Sequence, residues 1–193
     1  MLYTIIKSIF RFIYSCIFRT KIIGAENIPQ DGAVILASNH LSNWDPMLVG
    51  AFIPRHLAYM AKEELFEVPI LKTILTKTHT FPVKRGISDM GAIRTALKVL
   101  KAQNCVCMFP EGTRSKDGKL HEGAPGVALI AAKSKATVIP VAIDGTFKAR
   151  PFKRLTVTYG KPLYFGEEKP NKENLDKFTK KVMQEIATML KMQ

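Results

Sequence analysis

The chain has 193 residues, 47% of them hydrophobic, enough for one domain with a sizeable core. It carries 29 Lys and Arg against 16 Asp and Glu, a formal charge of +13, which favours an anionic partner: nucleic acid, an acidic membrane surface, a phosphorylated substrate or an acidic carrier protein. No RNA- or DNA-binding signature is present, the three cysteines make no disulfide framework, and no uncharged apolar run reaches the ~18 residues of a transmembrane helix.

Residues 1–21 contain four basic residues and no acidic one. Thr4, Lys7, Ser8, Arg11, Ser15 and Arg19 recur every three or four residues, and Leu2, Ile5, Ile6, Ile9, Phe10, Phe12, Ile13, Tyr14, Ile17 and Phe18 fill the rest of a helical wheel. This is the pattern of a helix lying in a membrane interface with its basic side toward anionic headgroups. A helix packed on the domain itself is the alternative. A secretory signal fits less well, because Lys7 and Arg11 interrupt the apolar region and no small-residue cleavage site follows. The division expected is therefore an interface helix over 1–21 and one domain over 22–193.

Ala33 to Ser38 reads as a buried strand running into a loop at His40. Asp45-Pro46 reads as an N-cap with proline at the first helical position, opening a helix to about Ile53. Leu57 to Met60 is a short strand, and Glu63 to Lys77 is helical but broken near Pro69. Phe81 to Val83 is a strand, and Ser88 to Ala102 a helix with Ile93, Ala96, Leu97 and Leu100 on one face. Cys105 to Phe109 is a strand that puts both its cysteines on one face, where buried structural thiols are expected. Pro110 to Gly123 is a polar loop, Gly126 to Lys133 a helix, and Thr137 to Ile143 and Leu155 to Tyr159 are strands. An amphipathic helix from about Lys172 closes the chain. Strands alternating with helices predict an α/β sandwich around a largely parallel sheet.

Two segments carry chemistry. His40 follows a buried strand at its carboxyl end, where α/β proteins place their sites. Neutral imidazole takes a proton near neutral pH, and a carboxylate on its other nitrogen fixes the tautomer and steadies the cation. Asp45 supplies such a carboxylate only if His40 lies in the loop and Asp45 at the helix start, because five residues of regular helix turn two side chains about 140° apart. Simple N-capping by Asp45 and a structural His40 remain the alternatives. The second segment, Phe109 to Ser115, combines a proline–glycine turn, a threonine hydroxyl and an arginine fork, all good phosphate ligands. Glu111 there suits either a substrate hydroxyl or Arg114. Lys84-Arg85 forms a second basic pair at a strand end. No GxSxG elbow pairs a nucleophile with His40, which points to direct attack by a substrate hydroxyl, with Ser42 the residue to watch.

Taken together, these segments resemble the glycerolipid acyltransferase family, and within it the bacterial members that acylate lysophosphatidate. Four family blocks occur in order: Asn39-His40 to Asp45, Phe81-Pro82-Val83-Lys84-Arg85, Phe109 to Ser115 complete, and Val138-Ile139-Pro140-Val141. Lys62-Glu63-Glu64-Leu65 and Pro69 also look like the family, and the resemblance covers roughly residues 22 to 165. The chain departs at His79, where the family usually has glycine, and at His121-Glu122-Gly123, where a basic residue usually precedes the glycine.

The resemblance implies transfer of a fatty acyl group from a thioester to the sn-2 hydroxyl of lysophosphatidate, giving phosphatidate. It implies His40 as general base, Asp45 orienting it, and Arg85, Gly112, Thr113 and Arg114 gripping the phosphate. Glu111 would position the glycerol and Pro140 would shape the acyl or donor site. No metal or bound cofactor is implied; acyl-coenzyme A or acyl carrier protein is a co-substrate. A monotopic enzyme on the cytoplasmic face of the membrane would take a lipid from one phase and a soluble donor from the other. Three other functions compete: the same chemistry on glycerol 3-phosphate or another lysophospholipid, a thioesterase, and a non-enzymatic lipid-binding protein.

Overall fold

A computed structural model describes residues 2–84 and 89–192. Along the chain run α1 (Leu2–Cys16), β1 (Lys21–Ile23), β2 (Val34–Ser38), α2 (Asp45–Ala51), β3 (Leu57–Lys62), α3 (Pro69–Lys77) and β4 (Thr80–Val83). Then come α4 (Met90–Lys101), β5 (Cys105–Met108), α5 (Gly126–Ser134), β6 (Thr137–Asp144), β7 (Thr156–Tyr159) and α6 (Lys172–Lys191). The seven strands form one sheet in the order β1-β7-β6-β2-β5-β3-β4. Every pairing is parallel except β6 with β7. The α/β class and the largely parallel sheet therefore stand as expected.

Strand alternation divides the core into two layers. Ile35, Ala37, Ala58, Val106, Met108, Val138 and Ala142 face α4, α5 and α6, meeting Ala96, Ile130 and Val182. Val34, Leu36, Leu57, Cys105, Cys107, Ile139 and Val141 face the other way, toward α1 and α2. Both strand cysteines lie on this second face as expected, and burial raises the Cys105 thiol to about 11 and pushes Cys107 higher still.

Helix α1 forms with one face against the domain and another exposed. Tyr3 and Tyr14 are buried, Phe10 packs beside them, and Lys7 donates to the carbonyl of Ile53. The Tyr3 hydroxyl accepts from Leu57 N at 2.9 Å. This face packs on the domain. Leu2, Ile5, Ile9 and Phe12 recur at i, i+3, i+7 and i+10 and remain exposed, Phe12 by 69%.

Two elements differ from expectation. Strand β1 was not expected: it is three residues long, without alternation, and it forms because β7 offers it an edge. Asp45 is the first residue of α2, after Trp44 at the N-cap position, and its carboxylate makes no capping bond. The N-cap role read from Asp45-Pro46 is thus replaced: the carboxylate turns back to the loop before the helix. Gly50 in the same helix is required by close approach, since a Cβ there would lie 2.0 Å from the buried Tyr59 hydroxyl.

Candidate active site

The carboxyl ends of β2, β3, β4 and β5 deliver His40, Lys62, Lys84 and Phe109 to one edge of the sheet, the edge at which parallel α/β sheets carry ligands. Between this edge and helices α4 and α5 lies a cavity of about 710 Å³. His40, Phe109 and Gly112 line its polar end; Met108, Ala92, Ile93, Leu129, Ile130 and Leu175 make its walls apolar. Lys62, Leu65, Lys84 and Met90 stand on a further side.

His40 is held from four directions. Its Nδ1 lies 2.9 Å from Asp45 Oδ2, and both side chains are buried. An ionised carboxylate only accepts, so Nδ1 carries the proton and the other ring nitrogen keeps its lone pair. The same Asp45 oxygen accepts from Leu41 N and Ser42 N, each at 2.6 Å, which fixes the loop around the carboxylate. The Phe109 ring stacks on the imidazole, with centroids 4.0 Å apart and planes 22° from parallel. The backbone is clamped as well: His40 N donates to Glu111 Oε1 at 2.9 Å and His40 O accepts from Ser115 N at 2.8 Å.

Glu111 also accepts from His121 N through Oε2 at 3.0 Å, so its two oxygens span the His40 loop and the loop after Ser115. Asn39 does comparable work in the sheet. Its amide donates to Ile143 O at 2.9 Å and accepts from Ile143 N at 2.7 Å, continuing the β2–β6 ladder past the last strand residue of β2. Ser42 Oγ accepts from Trp44 N at 3.3 Å.

The turn at 111–114 leaves Gly112, Thr113 and Arg114 exposed, and Gly112 lines the cavity. Gly112 has φ of +70°, the left-handed region, and open space where a Cβ would be. Arg114 makes no ion pair among the described residues. Arg85 lies outside the described residues. Pro140 is buried in the middle of β6, paired with Ala37, and it does not line the cavity. His40, Asp45, Glu111 and Gly112 are thus brought together, Thr113 and Arg114 follow Gly112 on the exposed turn, and Pro140 stands apart.

Sequence reasoning missed three contributors. The Tyr14 hydroxyl donates to Trp44 O at 2.9 Å, joining α1 to the loop between His40 and Asp45. Burial and the nearby Asp45 charge push its phenol far above the ordinary tyrosine range. Counted as one more apolar residue of α1, Tyr14 gave no signal of its hydroxyl. Asp89 caps α4, accepting from Gly91 N and Ala92 N, and also takes Lys84 N at 2.7 Å. The aspartate just before the apolar period of α4 was a legible cap signal. Leu175 reaches the cavity from α6, which no local pattern marks.

A largely parallel α/β sheet thus carries a buried His–Asp pair beside an apolar cavity, the arrangement of an enzyme with a general base at an apolar substrate site. The acyltransferase family model matches residues 19–144, a span containing all four blocks, and the chain belongs to that family. It is 34% identical to a 1-acyl-sn-glycerol-3-phosphate acyltransferase of Bacillus subtilis over 177 residues, 88% of this chain and 87% of the relative. It is 31% identical to a chloroplastic 1-acyl-sn-glycerol-3-phosphate acyltransferase of Arabidopsis thaliana over 69% of this chain and 38% of that longer protein. The crystal structure of the 1-acyl-sn-glycerophosphate acyltransferase PlsC from Thermotoga maritima aligns over 100% of this chain and 79% of its own, with a TM-score of 0.77 and 29% identity.

Proposed function

We propose that this enzyme transfers a fatty acyl group from acyl-coenzyme A or acyl carrier protein to the sn-2 hydroxyl of 1-acyl-sn-glycerol 3-phosphate. The observation that carries this is the His40–Asp45 pair at 2.9 Å, buried at the polar end of an apolar cavity. The relatives whose names state that activity support the choice of acceptor.

The chemistry needs one base. The free ring nitrogen of His40 takes the proton of the sn-2 hydroxyl as its oxygen attacks the thioester carbonyl. Asp45 steadies the imidazolium. The tetrahedral intermediate collapses, the carbon–sulfur bond breaks, and the thiolate leaves with the proton from His40. Hydroxyl and thioester become ester and thiol, with no covalent acyl-enzyme, metal or cofactor in the scheme. Ser42 Oγ bonds Trp44 N rather than the His40 ring, in keeping with direct attack.

Gly112, Thr113 and Arg114, joined by Arg85, take the phosphate; Arg114 is exposed and without an ion pair among the described residues. Glu111 positions the glycerol only through lone pairs left over from its two backbone bonds, so the geometry favours it first as the strut of the His40 loop. The apolar cavity takes an acyl chain; its volume falls within the roughly 300–1,000 Å³ of small-molecule sites.

No helix among the described residues is long and apolar enough to cross a membrane. The exposed apolar stripe of α1 seats the enzyme in the cytoplasmic face as a monotopic protein, and the formal charge of +13 favours anionic lipid and an acidic carrier.

The test is acyl transfer from labelled acyl-coenzyme A and labelled acyl carrier protein to lysophosphatidate in detergent–lipid micelles, wild type beside His40→Ala. Labelled phosphatidate from wild type alone is expected. Acyl release without dependence on the acceptor would make the protein a thioesterase, and transfer only to another acceptor would move the substrate.

A further inference from the structure

The segment between β3 and β4 leaves an apolar surface that nothing in the described chain covers. It consists of a 3-10 turn at Glu63–Phe66 followed by α3. No residue of α3 is buried, and Leu65, Val68, Ile70, Leu71 and Ile74 are exposed, Ile70 by 73%. A short helix with this many exposed aliphatic side chains needs a cover.

Three observations say what covers it. First, charge: Glu63 and Glu64 are paired with Lys84 and Lys62, while Lys72 and Lys77 make no ion pair among the described residues, against Glu67 as the remaining acid of the segment. The unmatched charge is positive on balance, and Lys77 follows Ile70 and Ile74 at helical spacing on one face. Second, continuity: the Tyr3 ring of α1 lies 6.1 Å from the ring of His79, just past α3, and Thr78 shares a small cleft with Tyr3, Lys7 and Phe10. Third, position: Leu65 and Met90 are exposed and also line the large cavity, so they form its rim on this side.

We propose that the 3-10 turn and α3 are a second lipid-contact element, seated in an anionic bilayer next to α1, over which an acyl chain passes from the bilayer past Leu65 and Met90 into the cavity. This rests on the reading above that the acceptor is a membrane lipid. The chain then travels between two apolar phases without crossing water, which removes the cost of hydrating its methylenes.

The test compares the full-length protein with I70S/I74S on α3 and with I9S/F12S on α1. Both pairs are exposed, so both variants are expected to keep the wild-type melting temperature. Binding is read by sedimentation with phosphatidylglycerol–phosphatidylethanolamine vesicles. Acyl transfer is read with long-chain lysophosphatidate in those vesicles and with a water-soluble short-chain analogue. I70S/I74S should weaken vesicle binding about tenfold and slow transfer in vesicles, with transfer to the soluble analogue within about twofold of wild type. Unchanged vesicle binding by I70S/I74S overturns the proposal, even if I9S/F12S abolishes binding and α1 keeps its role. A dimer in solution that I70S/I74S dissociates also overturns it, since a second copy would then be the cover. Wild-type protein that binds vesicles but acylates neither acceptor overturns the acceptor reading, and the sedimentation result still decides whether α3 meets lipid.

Discussion

The hydroxyl of Tyr14 and the carbonyl of Trp44, 2.9 Å apart, tie the helix that presents the exposed stripe to the loop that holds His40 against Asp45. One hydrogen bond therefore links the placement of α1 to the placement of His40. Tyr14→Phe removes it while keeping the ring, and leaves the Trp44 carbonyl without this partner. A loss of about 1 kcal/mol is expected, seen as a several-fold fall in kcat with KM for lysophosphatidate little changed. Equal kcat for Tyr14→Phe and wild type would show that the loop keeps its geometry without α1.

Asp45→Asn tests the pair itself. An amide presents either a donor or an acceptor where the carboxylate offers only acceptors, and three N–H groups converge on Asp45 Oδ2. The tautomer of His40 is no longer fixed, and kcat should fall by roughly 10³-fold or more. A variant with near-normal kcat would reduce Asp45 to a structural residue.

Glu111→Gln separates strut from substrate ligand. One of its oxygens becomes an NH₂ group that cannot accept from His40 N or His121 N. If the strut role dominates, kcat falls and KM moves little. A rise in KM alone, with kcat intact, would return Glu111 to the glycerol site.

Trp44 is the one tryptophan of the chain, 60% exposed, with its ring 6.0 Å from Phe10 on α1. Its emission should shift to the blue on adding anionic vesicles and stay put with neutral ones at physiological salt. No shift with either would place this side of the molecule away from the bilayer.

The His56 ring lies against Tyr3, tilted by 40°, with ring centroids 4.2 Å apart. Burial first, then the charges of Lys7 and His79, lower its pKa below the ordinary 6.5. A depressed folded-state value means the unfolded chain takes up this proton first as pH falls. The stability contributed is whole above about pH 6.5 and is lost as pH drops from there through the folded value. Wild-type protein should therefore melt earlier at pH 5 than at pH 7.5, and His56→Phe should narrow that gap. An unchanged gap would acquit His56.

The α/β class and the closeness of His40 to Asp45 were more legible than the contacts that clamp them. The pair was readable because its residue types and short spacing suggested it. The clamps on His40 were not, since Glu111 to His40 and Asn39 to Ile143 join positions about 70 and 104 residues apart. The register that makes such pairs belongs to the folded sheet. Asp45 was misread as a helix cap because Asp-Pro carries that signal whether or not a nearby imidazole and two loop amides compete for the carboxylate. Pro140 came from resemblance alone, and β6 buries it away from the cavity.

The Asn39 fork has a dynamic consequence. A side chain supplies the last rung between β2 and β6, so His40 begins one residue beyond a locked crosslink. His40 is thereby tethered to the central strand of the sheet, although it sits in a loop. The Ile143 amide, which donates to that fork, should exchange its hydrogen at the slow rate of the centre of β6, through global opening rather than fraying of the strand end.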